Sequence, residues 1–377
     1  MAIKKQKAPE TSDTGNVNDQ LDAELAKTDY AGIIDLAENL ADMSVTCVPT
    51  GFPQLDLILH KVLKGLPLGR DVEIYSKDPQ AGKTSIALDF IRAFQNRGFR
   101  TVFIDVERTM TTDYLHTNRI ITDPSEDPTK YALRIIRPEE ALAAEEILDI
   151  VKAQANIFDL VVVDSIAAMD LKANLAKDSD EGNKVAGVAL LLSNFLKKNV
   201  AKRACIVWVN QTRQVVGGYN PTGNVRYTTT GGRSMLFYGS IRLELAIVDK
   251  IKDANDETFA YKVKFFTAKN KLSPQWKTAI LTYVFDEGFS TTYDWFDLAL
   301  KNKIIEKKGG WLAFGDQKVQ GELKFYKMMR SNPELFEAIK KAVEGKDSLG
   351  EQTSPENTPI LEDAYNFLKG GGYNAGS

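Results

Sequence analysis

Lys83, Thr84, Glu107, Asp164 and Gln211 have the types and chain order that suit one chemistry, phosphoryl transfer to water. That reaction needs a phosphate cradle, a metal, and a group that orients or deprotonates the attacking water. The run Glu73-Ile-Tyr-Ser-Lys-Asp-Pro-Gln-Ala-Gly-Lys-Thr-Ser85 supplies the cradle: an apolar strand, a polar loop, then Gly82-Lys83-Thr84 opening an amphipathic helix. Backbone N–H groups of Gln80, Ala81 and Gly82 and of the helix start through Ser85 are expected to converge on phosphates, where the helix dipole favours negative charge. Lys83 is placed to reach the β- and γ-phosphates of a nucleoside triphosphate, and the Thr84 hydroxyl to hold Mg²⁺. One departure stands out: G-x-x-x-x-G-K-[ST] expects glycine at 77, and the chain has Lys77. The turn must then form without glycine's freedom.

The remaining groups fall at the ends of apolar runs, where ligands bind in open parallel sheets. Asp164 ends Leu160-Val-Val-Val163, the position for a carboxylate on the Mg²⁺ side. Glu107 ends Thr101-Val-Phe-Ile-Asp-Val106 and is the candidate for activating water, while Gln211 follows Cys205-Ile-Val-Trp-Val-Asn210 and is placed to sense the γ-phosphate. These positions require a frame of strands and helices. Strand-like runs are 72–76, 101–106, 132–136, 159–164 and 204–209, with helix-like runs at 84–96, 138–156 and 185–199 between them. Pro138 suits a helix start and Gly98 a helix end. Such alternation predicts an α/β fold of βαβ units, a largely parallel sheet with helices on both faces. A further helix is predicted near 55–63. Strand signals at 241–248, 260–267 and 279–284 are close enough in sequence for antiparallel strands completing the sheet.

Residues 1–20 read as a disordered arm, 21–45 as a helical segment, 46–285 as the core, and 286–343 as a small α/β domain with helices near 293–301 and 333–343. The tail, 344–377, holds six acids and two lysines and reads as flexible. No apolar run suits a membrane span, and Met1–Gln20 lacks the apolar stretch of a secretory signal. Two cysteines exclude a disulfide framework and suggest a reducing compartment, and two distant histidines give no zinc site. Net charge is −3, yet from Gly182 to Leu243 there is no Asp or Glu. That stretch carries Lys184, Lys197, Lys198, Lys202, Arg203, Arg213, Arg226, Arg233 and Arg242, the footprint of a polyanion-binding surface. Within it, 212–232 is rich in Gly, Thr, Asn and Tyr, and a loop of that length is usually functional or disordered.

From about Val45 to Val343 the chain resembles RecA-type homologous recombinases, bacterial or phage-encoded. The motifs that carry the resemblance are Leu66-Pro-Leu-Gly-Arg-Asp-Val-Glu-Ile-Tyr75, Phe103-Ile-Asp-Val-Glu107, Val162-Val-Asp-Ser165, Asn210-Gln211, Thr228-Thr-Thr-Gly-Gly232, Leu236-Phe-Tyr-Gly-Ser-Ile-Arg242 and Lys269-Asn-Lys271. Ile304-Ile-Glu-Lys-Lys-Gly-Gly-Trp311 and Ser331-Asn-Pro-Glu334 resemble the family's C-terminal domain. The resemblance implies a RecA-like ATPase core and a DNA-dependent ATPase that forms helical filaments on single-stranded DNA and exchanges strands with homologous duplex. It implies that Lys83 and Glu107 are catalytic, that Tyr114 stacks on adenine, and that Asp164 belongs to the metal motif. Gln211 would couple the γ-phosphate to the DNA loop beside it, and Lys269 and Lys271 would reach the ATP of a neighbouring subunit. DNA contacts are implied for Arg213, Arg226, Gly231, Gly232 and Arg233, with loops near 171–184 and 216–232. Implied partners are single- and double-stranded DNA, further copies of the chain, and single-strand-binding and loader proteins, in the cytoplasm. Thr111 stands where the bacterial family has an adenine-contacting aspartate. The competing readings are a ring-forming helicase or signalling ATPase with the same core, and a DNA-binding accessory that has lost hydrolysis.

Overall fold

The computed structural model describes residues 21, 25–27, 45–60, 64–137, 142–172, 181–198, 202–214, 227–252, 256–285 and 287–347. The chain divides after Val45 into two units. Of the first, Leu21 and Leu25 are helical and Ala26 and Lys27 lie in a turn. The whole of the 1–20 arm, residues 22–24 and 28–44 of the next segment, and residues 348–377 of the tail lie outside the described residues.

The second unit opens with a small ribbon, β1 (Cys47–Val48) on β2 (Leu66–Pro67), flanking α1 (Pro53–Leu59). Then β3 (Asp71–Ser76), α2 (Lys83–Gln95), β4 (Thr101–Asp105), α3 (Thr112–Thr117), β5 (Arg134–Ile136), α4 (Ala144–Gln154) and β6 (Leu160–Asp164) alternate. After α5 (Glu181–Lys198) come β7 (Cys205–Gln214), β8 (Tyr227–Thr229), α6 (Ser234–Tyr238), β9 (Ile241–Lys252), β10 (Thr258–Asn270), β11 (Thr278–Val284) and β12 (Gly288–Phe289). The sheet order is β12-β11-β10-β9-β3-β7-β6-β4-β5. It is parallel from β9 to β5 and antiparallel from β9 to β12. This is the mixed sheet expected from the spacing of the strand signals.

The inner parallel strands β3, β4 and β6 are buried along their length, and β6 is apolar up to Asp164, because both faces are covered. Their period of two divides the side chains between two cores. Val72, Ile74, Phe103, Val162 and Val207 pack under Ile86, Phe90 and Phe94 of α2. Val102, Ile104, Val161, Val163, Ile206 and Trp208 pack under Ile147 and Val151 of α4 and Val188 and Leu192 of α5. Each fully buried side chain of this kind contributes about 1.5–3 kcal/mol. The strand ends that carry function are therefore held on a rigid platform.

A third core joins α7 (Thr291–Lys301), a three-stranded antiparallel sheet of β13 (Glu306–Lys308), β14 (Trp311–Phe314) and β15 (Gln317–Gln320), α8 (Glu322–Ser331) and α9 (Pro333–Asp347).

Three sequence expectations change. The helix expected from Pro138 begins at Ala144; the Ala144 N–H donates to the Asp170 carbonyl (2.6 Å) and Glu146 accepts the Ala143 N–H (2.9 Å). Strand β7 continues past Val209 to Gln214, because β8 pairs with its end, Thr212 to Thr229 and Gln214 to Tyr227. Helix α1 ends at Leu59, with residues 61–63 outside the described set.

Candidate nucleotide and DNA site

The loop between β3 and α2 is held from outside before any ligand enters. Ser76 donates its hydroxyl proton to the Leu245 carbonyl (2.7 Å) and accepts the Asp78 N–H (2.9 Å). The Asp78 carboxylate accepts the Ile247 N–H (3.3 Å), and the Tyr261 hydroxyl donates to the Gln80 carbonyl (2.8 Å). Strands β9 and β10 thus brace the loop. Gly82 caps α2 in the left-handed region (φ 79°, ψ 31°), and a Cβ there would lie 2.9 Å from the Phe289 ring. Lys77 is not among the positive-φ residues, so the missing glycine imposes no left-handed strain.

Inside the loop, Lys83 is buried and its ammonium donates to the Pro79 carbonyl (3.3 Å). Burial lowers its pKa, while the charges of Asp164, Glu107 and Asp78 oppose that shift. The Thr84 hydroxyl donates to Asp164 Oδ2 (2.6 Å). Asp164 is pushed up to about 6, chiefly by burial, with Glu107 adding to the rise and Thr84 and Lys83 working against it. Both oxygens are hard donors, and a carboxylate short of compensating charge gains from a cation, so the pair fits Mg²⁺.

Glu107 closes the ring of groups. Its N–H donates to the Asp164 carbonyl (3.2 Å), and its Oε1 accepts from the Ser165 hydroxyl and from Gln211 Nε2 (3.3 Å). Gln80, Gly82, Lys83, Thr84, Ser85, Glu107, Asp164 and Gln211 line one cavity of about 610 Å³, with Tyr261, Tyr283 and Phe285 as its aromatic wall. Tyr261 and Tyr283 stack at 4.9 Å. Ala81 is buried in the loop and does not line the cavity. Tyr114 lies beside it, its hydroxyl 3.0 Å from that of Ser85, and Thr111 caps the helix that carries Tyr114.

Beneath Gln211 lies a buried polar cluster that the sequence reading missed. Asn210 donates to Glu73 Oε1 (2.7 Å) and to the Thr230 carbonyl (2.8 Å), and its Oδ1 accepts the Gln211 N–H (2.8 Å). Glu73 also accepts from Arg242 Nε, and Arg242 lies 4.7 Å over the Tyr75 ring. Glu73 and Asn210 are fully buried. Ser165, too, carried no assigned role, although it sits in the quoted Val162–Ser165 motif; a hydroxyl next to a strand-end aspartate was the available signal.

Arg213 is exposed on β7, and Arg233 precedes α6 with its guanidinium 5.1 Å over the Phe237 ring. Gly231 and Gly232 have φ of +82° and +63°, and Cβ atoms there would press on Leu192 and Ala189 of α5. Arg226 and most of both expected DNA loops lie outside the described residues. Lys269 and Lys271 do not join the cavity. Lys269 Nζ donates to the carbonyls of Leu236 (2.5 Å) and Phe237 (2.9 Å), and Lys271 Nζ to that of Tyr238 (3.5 Å), at the C-terminal end of α6. Burial first, then the charges of Lys271 and Arg242, brings Lys269 down to about 8.

A parallel sheet, a lysine-bearing phosphate loop and two carboxylates at strand ends define a phosphate-loop nucleotide hydrolase. The RecA N-terminal domain family matches residues 19–290 and the RecA C-terminal domain family residues 294–347. The chain is 32% identical to Protein RecA of Chlamydia pneumoniae over 320 residues, covering 82% of this chain and 85% of the relative. It is 31% identical to Protein RecA of Lactobacillus johnsonii over 345 residues, covering 87% and 91%. The chain belongs to the RecA family, the DNA-dependent ATPases of homologous recombination.

Proposed function

We propose that Lys83, Thr84, Glu107, Asp164 and Gln211 hydrolyse ATP in a filament on single-stranded DNA, and that hydrolysis state governs the DNA grip. The observation that carries this reading is Glu107 Oε1 shared between the Ser165 hydroxyl and the Gln211 amide, on the rim of the cavity holding Lys83. Glu107 receives the proton of the attacking water. Ser165 and Gln211 orient its carboxylate, and Gln211 exchanges this contact for one with the γ-phosphate. Loop amides and Lys83 bind the phosphates, and Tyr114 packs on the base. Mg²⁺ held by Thr84 and Asp164 would neutralise charge on the phosphates.

Because Gln211 and the Thr230 carbonyl share Asn210, a change at Gln211 is felt at Gly231 and Gly232, where the chain emerges from the DNA loop. Arg213, Arg226 and Arg233 with the Gly231 and Gly232 amides contact the DNA backbone and leave bases free to pair. Lys269 and Lys271 leave the end of α6 to meet a neighbour's ATP, so nucleotide cements the filament. The 21–45 segment packs on that neighbour, and the acidic tail competes with duplex DNA.

The test is ATP turnover with and without single-stranded DNA. Glu107→Gln should lose about 10²- to 10⁴-fold of turnover, as removal of a general base does. A fluorescent ATP analogue should still bind. DNA-independent turnover, or a Glu107→Gln variant as fast as the parent, contradicts the assignment.

A further inference from the structure

The residue that breaks the phosphate-loop pattern, Lys77, is exposed and does not line the nucleotide cavity. Its ammonium lies 5.0 Å from the centre of the Tyr227 ring. Tyr227 opens β8, the strand on which the chain returns from the DNA-facing loop, and it pairs with Gln214 of β7. The base of this β7–β8 ribbon is fastened to the same turn: Ser76 pairs in register with Gln211, and the Thr212 hydroxyl donates to the Ser76 carbonyl (3.3 Å). Lys77 follows directly. With glycine at 77 the side-chain contact to Tyr227 would be lost.

We propose that Lys77 on the Tyr227 ring is a positioning contact coupling the phosphate loop to the DNA-facing loop, a second route beside Gln211; this rests on the function proposed above. A shift of the ribbon when DNA binds changes the Lys77–Tyr227 contact and hence the position of the loop that cradles phosphate. By linkage, nucleotide state then changes DNA affinity through the same contact. Both side chains are exposed, so the contact is a modest one, and its loss should change the coupling by about 2- to 5-fold.

The readout is the ratio of apparent dissociation constants for a fixed-length single-stranded oligonucleotide with ADP and with a non-hydrolysable ATP analogue. Lys77→Gln and Tyr227→Leu should each shrink this ratio by about 2- to 5-fold, and the double variant by no more than either alone. Tyr227→Phe, which keeps the ring, should match the parent. Additive losses, or a parent-like ratio in Lys77→Gln, overturn the proposal while leaving the proposed function intact. So does a Lys77→Gln defect equal under both nucleotides with a shallower salt dependence, the mark of an ordinary phosphate contact. If the parent ratio is one, both this proposal and the proposed function fail.

Discussion

Glu73→Gln isolates what the charge in the cluster beneath Gln211 contributes. The substitution keeps an oxygen to accept from Asn210 Nδ2, so the seat of Gln211 retains its geometry. It leaves Arg242, whose side chain is 11% exposed, without its carboxylate. Removing one partner of a buried ion pair costs about 3–5 kcal/mol. Arg242 keeps the Tyr75 ring at 4.7 Å and the Thr229 hydroxyl at 3.3 Å, which argues for the lower end, about 3 kcal/mol. With a urea slope of about 3 kcal/mol per molar, the midpoint should fall by roughly 1 M. Urea titrations followed by circular dichroism measure this directly. Arg242→Met in the same chain removes the orphaned cation and should recover most of the loss, since a pair replaced together is nearly neutral. A midpoint shift below roughly 0.3 M, or a double variant no more stable than Glu73→Gln, refutes the reasoning.

Two other outcomes follow from the geometry. Gly82→Ala should cost about 1–2 kcal/mol for a left-handed residue, with more for the Phe289 contact, and should weaken ATP binding in equilibrium titrations. Unchanged affinity would mean the loop does not depend on that turn. Asp294 is raised to about 7, first by burial, against two hydrogen bonds from Gln54. A raised carboxyl stabilises the fold fully below about pH 4 and loses that contribution as pH climbs through about 7. Asp294→Asn cannot ionise, so its stability relative to the parent should rise between pH 5 and pH 8 in urea unfolding, and a constant offset would speak against the shift.

The parallel core was legible because strands covered on both faces carry long apolar runs, of which Leu160–Val163 is the clearest. The functional strand ends were legible for the same reason, since Glu107, Asp164 and Gln211 each follow such a run. The 306–320 sheet was not. Glu306–Lys308 and Gln317–Gln320 are short and mostly exposed, so no apolar alternation marks them. The Glu73–Asn210–Arg242 cluster was equally hidden, because partners 137 and 169 residues apart meet only through strand register. Lys77 was visible as an exception, but its partner Tyr227 lies across a loop whose closure no local pattern fixes.

The most direct measurement is electron microscopy of the purified chain on long single-stranded DNA with a non-hydrolysable ATP analogue and with ADP. The account predicts regular helical filaments with the analogue and sparse or collapsed ones with ADP. Closed rings, or single subunits under both nucleotides, would contradict it.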